Sequence, residues 1–223
     1  MSQPQAAASD RFDGLLVDVQ RHLESLYALD PGAPVSDFVI AAGEAGALPG
    51  GGSRTLVSHE GDDLAVGVVF EDKVPEQLRD RDPRVRLDHG NLDPFCTLTE
   101  EVSHFLYLLF CARSARTVTE LELELQGEVD KFLTTAFFLS LQNEGAVSSR
   151  LRRLLFHDYR LVPGLSSEQA ERYRTASTLA FHYCGYLETE YLKQRRLLDL
   201  AREARRFYRL GQRDKLERIA RLH

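Results

Sequence analysis

Cysteine is scarce, and its spacing offers no chemistry. Cys96, Cys111 and Cys184 are the three in 223 residues, an odd number with no CxxC pair, so neither a disulfide framework nor a cysteine-built zinc site is indicated. They read as reduced, partly buried small side chains. Long apolar runs are missing too. No stretch approaches the roughly 18 residues that a membrane-spanning helix needs, and the opening MSQPQAAASDRFDG has neither the basic nor the apolar region of a signal peptide. The expectation is a cytoplasmic chain with no membrane partner. Phosphate-cradling loops are absent as well: there is no GxxxxGK[ST] or GxGxxG, and GALPGGGS at 46–53 lacks a following lysine and helix start, so it reads as a flexible loop. No internal repeat of 20 to 50 residues stands out.

What is present is apolar residues enough for a core, 43% of the chain, and a marked division of charge. Residues 1–149 hold 25 acids against 11 Lys and Arg, a balance of −14, while residues 150–223 hold 9 against 17, a balance of +8. Such a split suits a basic arm for nucleic acid or an acidic partner, or two halves that attract each other. The basic residues of LKQRRLLDLAREARRFYRL are interleaved with acids as on an ordinary solvated helix face, which favours the second reading and makes nucleic acid an unlikely partner.

The order of elements follows from periodicity. Leu15, Leu16, Val19, Leu23 and Leu26 fall at helical spacing within 12–29. A Gly- and Pro-rich segment follows, with a short extended piece around 38–41. RTLVSHE and LAVGVVFED, separated by GDD, read as a β-hairpin. Residues 72–93, charged and bearing Pro75 and Pro83, read as a loop with a short strand at 85–87. From there the pattern is helical: 94–113, started by Asp93 and Pro94; a helix opened by Thr117 and Glu120 and reaching about 140; 146–159; a helix opened by SSEQ at 166–169; a long basic helix over 190–209; and a short last one after Gly211. The fold class expected is α+β: a small antiparallel sheet with a helical core in residues 1–145, and a basic helical region, 146–223, packed on it.

One stretch carries chemistry. In TLTEEVSHFLYLL, residues 97–109, Phe95, Leu98, Val102, Phe105 and Leu109 share one sector of a helical wheel. Glu101 lies at the edge of that sector, His104 beyond it, and Glu100 one turn before His104. On the next helix Glu128 takes a place where the seam of Leu121, Leu125 and Phe132 calls for an apolar residue. A buried acid must be protonated, hydrogen-bonded or bound to a cation. The stretch admits two readings, a metal site or a purely structural polar cluster, in which His104 is a satisfied core histidine.

The helix, β-hairpin, EEVSH helix and following EVDKFL at 128–133 resemble the small zincin-type metallopeptidases of the ImmA/IrrE kind over residues 12–140. The resemblance implies a zincin-like core, Glu101 as general base, and His104 and Glu128 as metal ligands. Glu100 then stands where the family's HExxH has its first histidine. One imidazole and two carboxylates add negative charge to the ligand set, weaken selectivity for Zn²⁺ and suit harder ions such as Mn²⁺ or Fe²⁺. The functional expectation is a metal-dependent peptidase or hydrolase with an altered or degenerate site, acting on a peptide or protein partner. The alternative is a non-enzymatic helical module that binds a protein through its basic C-terminal helices. A four-helix di-iron site is disfavoured, because Glu101 and His104 form the sole ExxH pair.

Overall fold

The apolar stripe of the first segment forms α1 (Gln3–Tyr27), which buries Phe12, Leu15, Leu16, Val19, Leu23 and Tyr27. The computed structural model describes residues 3–30, 32–41, 43, 52–60, 63–145, 150–157 and 165–222. Within them the chain is mostly helical with a small three-stranded sheet, an α+β arrangement. No helix among the described residues is long and apolar enough to cross a membrane.

The strands are β1 (Val39–Ile40), β2 (Arg54–Glu60) and β3 (Asp63–Val69), in the order β1-β3-β2. β2 and β3 are the hairpin read from the sequence, with Thr55 opposite Val68 and Val57 opposite Val66. Gly61 and Asp62 of its turn, and most of the 46–53 loop, lie outside the described residues. The sheet is mixed rather than purely antiparallel, because β1 joins β3 in parallel. Gly67 makes that approach feasible: a Cβ there would come within 2.4 Å of Ile40 Cδ1.

Residues 72–93 differ from expectation. They contain α2 (Lys73–Asp80), whose Val74 and Leu78, one turn apart, are both buried. Pro75 does not break it, since a proline in the first turn has no intrahelical N–H to lose. No strand forms at 85–87. Val85 is exposed, and Asn91 holds the turns there, with Nδ2 donating to the carbonyls of Arg81 and Arg86 and Oδ1 accepting from the N–H of Asp88. Asn91 also takes the place expected of Asp93 as the residue before α3 (Leu92–Arg113). α4 (Glu120–Gln142) is capped two residues later than read, by Thr119, whose hydroxyl accepts from the N–H of Glu122 at 3.2 Å.

The C-terminal part comprises α5 (Leu151–Phe156), α6 (Ser167–Leu187), α7 (Leu197–Tyr208) and α8 (Gln212–Ala220). Of the helix expected over 146–159, residues 146–149 and 158–159 lie outside the described residues. The SSEQ capping box is present between Ser166 and Gln169. The long basic helix over 190–209 is two pieces: a π-turn, Glu188–Leu192, extends α6, and the chain then stops at Arg195, φ 55, before α7 begins.

That stop is a Schellman closure, with Arg196 N–H bonded to the Tyr191 carbonyl and Arg195 N–H to that of Leu192. α3 ends the same way, with Ala115 at φ 47 and bonds from Arg116 to Cys111 and from Ala115 to Ala112. Ala28 and Glu144 are also left-handed, just past α1 and α4. An L side chain in this conformation costs about 1–2 kcal/mol. Ala115→Gly is therefore expected to raise unfolding free energy by about 1 kcal/mol in urea titrations, and Ala115→Val to lower it.

The two parts share one core, in which the Tyr27 ring of α1 stacks on Tyr208 of α7 at 4.0 Å. Basic residues of α7 and its C-cap serve α1: Arg205 donates to the carbonyls of Ser25 and Leu26, and Arg209 to that of Tyr27. They cap a helix C-terminus whose carbonyls lack intrahelical partners. α8 inserts Lys215, fully buried, with Nζ donating to Gln126 Oε1 at 2.7 Å and lying over the rings of Tyr107 and Phe207. Burial pushes its pKa down to about 7, against the pull of Glu122 and Asp130, while Arg116 adds to the push. The unfolded lysine keeps its proton to higher pH, so between pH 7 and the ordinary lysine range the unfolded state binds more protons and Lys215 contributes more stability as pH rises. The difference in unfolding free energy between wild type and Lys215→Met should then grow in favour of wild type from pH 7 to about 8.5, by up to about 1.4 kcal/mol per pH unit.

Candidate functional site

α3 is covered on nearly every side, which decides where its polar side chains go. Ser103 donates to Asp130 of α4 at 2.5 Å, and Asp130 also accepts from Tyr27 and Gln126. Tyr107 donates to Glu122 at 2.5 Å. Glu101, buried, accepts from Thr55 Oγ1 of β2 at 2.8 Å. Glu100 accepts from Lys131 Nζ of α4 at 2.9 Å, and the same ammonium holds Glu128 Oε1 at 2.9 Å.

His104 breaks the rule. Its Nδ1 is 3.9 Å from Glu101 Oε2, and its Nε2 is 3.9 Å from Glu124 Oε2. Both distances exceed a hydrogen bond. Nε2 of His104 and Oε2 of Glu124, on residues only 7% exposed, are buried and make no well-formed hydrogen bond among the described residues, although the Leu123 backbone lies near the imidazole and Tyr173 near the Glu124 carboxyl. Donor atoms of Glu100, His104 and Glu124 lie within 4.8 Å of one another. Gly127 of α4 makes room for them, since a Cβ there would come within 2.9 Å of His104 Nε2 and 3.4 Å of Glu100 Cγ.

The electrostatics are those of too many acids in one place. Burial raises the pKa of Glu101 well above the usual carboxylate range, and Glu100 and Glu124 raise it further. Burial and the neighbouring Glu100 push Glu124 up to about 8. Glu128 is also raised by burial, against the pull of Lys131. Among these acids Glu100 ends below its ordinary value, because the charge and hydrogen bond of Lys131 outweigh burial. Burial lowers the pKa of His104, so the ring is neutral at neutral pH, the form that ligates metals. Lys131 stays charged, held far above its usual range by Glu100 and Glu128 in spite of burial.

Of the residues singled out in the sequence, Glu100 and His104 have donor atoms close to those of Glu124, whereas Glu101 turns to Thr55 and Glu128 to Lys131. Glu124 carries a signal in the sequence, being one turn before Glu128 on the same face of α4. Tyr173 of α6, which the sequence reading does not single out as a site residue, reaches the site and hydrogen-bonds Glu124. Cys96, beside Lys131, has its thiol pushed up to about 12 by burial and is no nucleophile. A surface concavity of about 550 Å³, lined by Arg21, His22, Phe137 and Leu141, lies roughly 20 Å further along α4 and shares no residue with the acid and imidazole group.

The group offers one imidazole and two carboxylates, donor types that hold divalent cations. Two donors on one ion with bonds of 2.0–2.2 Å in tetrahedral geometry stand about 3.4 Å apart, so His104 and Glu124 need to close by only about half an ångström. No family model matches the chain, and neither a curated protein nor a solved structure matches it significantly, so the site has to be read from its own chemistry. The close approach at Gly127 is testable. Gly→Ala inside a helix ordinarily stabilises by up to about 1 kcal/mol, but Gly127→Ala should destabilise by about 1–3 kcal/mol through the imidazole it strikes. In a His104→Ala background the same substitution should become neutral or stabilising in urea unfolding.

Proposed function

We propose that the chain is a zincin-like metal protein of hydrolase type, in which α3 and α4 hold a divalent ion through Glu100, His104 and Glu124. One observation carries the reading: two ligand atoms, His104 Nε2 and Glu124 Oε2, are buried, face each other across 3.9 Å and make no well-formed hydrogen bond among the described residues. An unpaired buried polar atom costs about 1–3 kcal/mol, and a cation between the two would remove that cost for both. A ligand set of two carboxylates and one imidazole favours Mn²⁺ or Fe²⁺ over Zn²⁺. A bound ion supplies a water of lowered pKa, the nucleophile of metal-assisted hydrolysis. The resemblance to ImmA/IrrE-like metallopeptidases supports a peptide as the substrate class.

Glu101 has two roles open to it. The resemblance makes it the general base. Its position favours the other: it lies on the Nδ1 side of His104, opposite the ligand-facing Nε2, and Thr55 fixes its second contact. A carboxylate behind a ligating imidazole sets the tautomer and aims the ring. The alternative of an interaction module working through basic C-terminal helices has the contacts of Arg205, Arg209 and Arg218 against it, since these bind α1 carbonyls and Glu203.

The test is direct. Purified protein should bind one equivalent of Mn²⁺ or Fe²⁺ in calorimetry, and saturation at 100 times Kd should add about 2.7 kcal/mol to the unfolding free energy. His104→Ala and Glu124→Gln should abolish both effects. If Glu101 is the base, Glu101→Gln keeps the affinity and loses hydrolysis of a peptide library; if it aims the ring, affinity falls about 10- to 100-fold. A native protein whose melting is unmoved by Mn²⁺, Fe²⁺ and Zn²⁺ would refute the reading.

A further inference from the structure

We infer that Lys131 is a tethered cation that confines the α3/α4 site to a single divalent ion. This rests on the metal-site reading above. Two facing helices offer four ligating side chains, Glu100 and His104 on α3 and Glu124 and Glu128 on α4, each pair one turn apart. Three suffice for one ion with an open position. The fourth, Glu128, is turned aside to Lys131, which also holds one oxygen of Glu100: Lys131 Nζ lies 2.9 Å from Glu100 Oε2 and 2.9 Å from Glu128 Oε1.

Glu100 therefore belongs to two groups at once, the one with His104 and Glu124 and the one with Lys131 and Glu128. A carboxylate shared in this way is what bridges the ions of a two-metal site, where they stand about 3.5–4 Å apart. Lys131 occupies the second position. Its ammonium donates hydrogen bonds but cannot coordinate, and its side chain is mostly buried, so it is not idle on the surface.

Charge points the same way. Glu100, Glu124 and Glu128 carry three negative charges when ionised, and one divalent ion with one ammonium supplies three positive ones. Two divalent ions beside the ammonium would over-compensate in a buried setting where net charge is costly. Glu101 stands outside this group, held by Thr55 of β2.

The experiment is a Mn²⁺ titration of the full-length protein, with stoichiometry from calorimetry and electron paramagnetic resonance of the loaded samples. Wild type should saturate at one Mn²⁺ per chain with a mononuclear spectrum, and Lys131→Arg should do the same. Lys131→Gln and Lys131→Met should take two, with an exchange-coupled spectrum, and Glu128→Gln/Lys131→Met should return to one. Wild type taking two, or a folded Lys131→Gln staying at one, overturns the inference and leaves the metal site standing. Wild type taking none overturns the metal-site reading itself, and this inference with it. Should the neutral variants unfold without metal, folding on addition of Mn²⁺ at two per chain supports the inference. Failure to fold at saturating Mn²⁺ overturns it, because two ions would replace the lost ammonium.

Discussion

The structure depends on the burial of α3. The middle of this helix is covered by α1, α2, α4 and the sheet, and most polar side chains there find their partners on other elements, while Thr99 bonds back to the Phe95 carbonyl of α3 itself. Thr55 answers Glu101, Asp130 answers Ser103, Glu122 answers Tyr107, and Lys131 answers Glu100. These bonds fix how β2 and α4 sit against α3, so the polar residues specify packing as much as the apolar ones do. His104 is the residue to which this scheme gives no full answer.

α4 meets the demand with two ladders. Glu122, Gln126 and Asp130 follow one another at i, i+4 on one side of the seam of Leu125, Val129 and Phe132; Glu124, Glu128 and Lys131 lie on the other. The first ladder engages Tyr107, Ser103, Tyr27 and Lys215, and so ties α1, α3 and α8 together. Its partners are satisfied and its role is architectural. The second is rich in acids and short of cations. The same helix thus serves stability along one edge and offers ligand chemistry along the other.

Much of this was legible in the sequence, for physical reasons. The stripe of α1, the hairpin and the Ser166–Gln169 capping box are local patterns, and local patterns survive into the fold. So was the oddity of Glu100, Glu101 and His104 in an apolar run. Two things were hidden. Helices end at Ala28, Ala115, Glu144 and Arg195, none of them the glycine that marks such stops, because the surrounding hydrogen bonds impose the left-handed residue. That Glu124, and not Glu128, lies beside Glu100 and His104 depends on Lys131 and Gly127, on how two helices meet, and periodicity along one helix cannot reveal it.

The arginines of α7 and its C-cap that close the end of α1 have a consequence for how the chain is made. Arg205 lies 179 residues beyond Leu26, whose carbonyl it binds. At a synthesis rate of about 5–20 residues per second, roughly 10–35 s separate the emergence of that carbonyl from the emergence of its partner. For that interval the nascent α1 carries an unclosed end and an uncovered Tyr27, a period in which a ribosome-bound chaperone could shelter it and in which the first helix of one chain is free to meet the last helices of another.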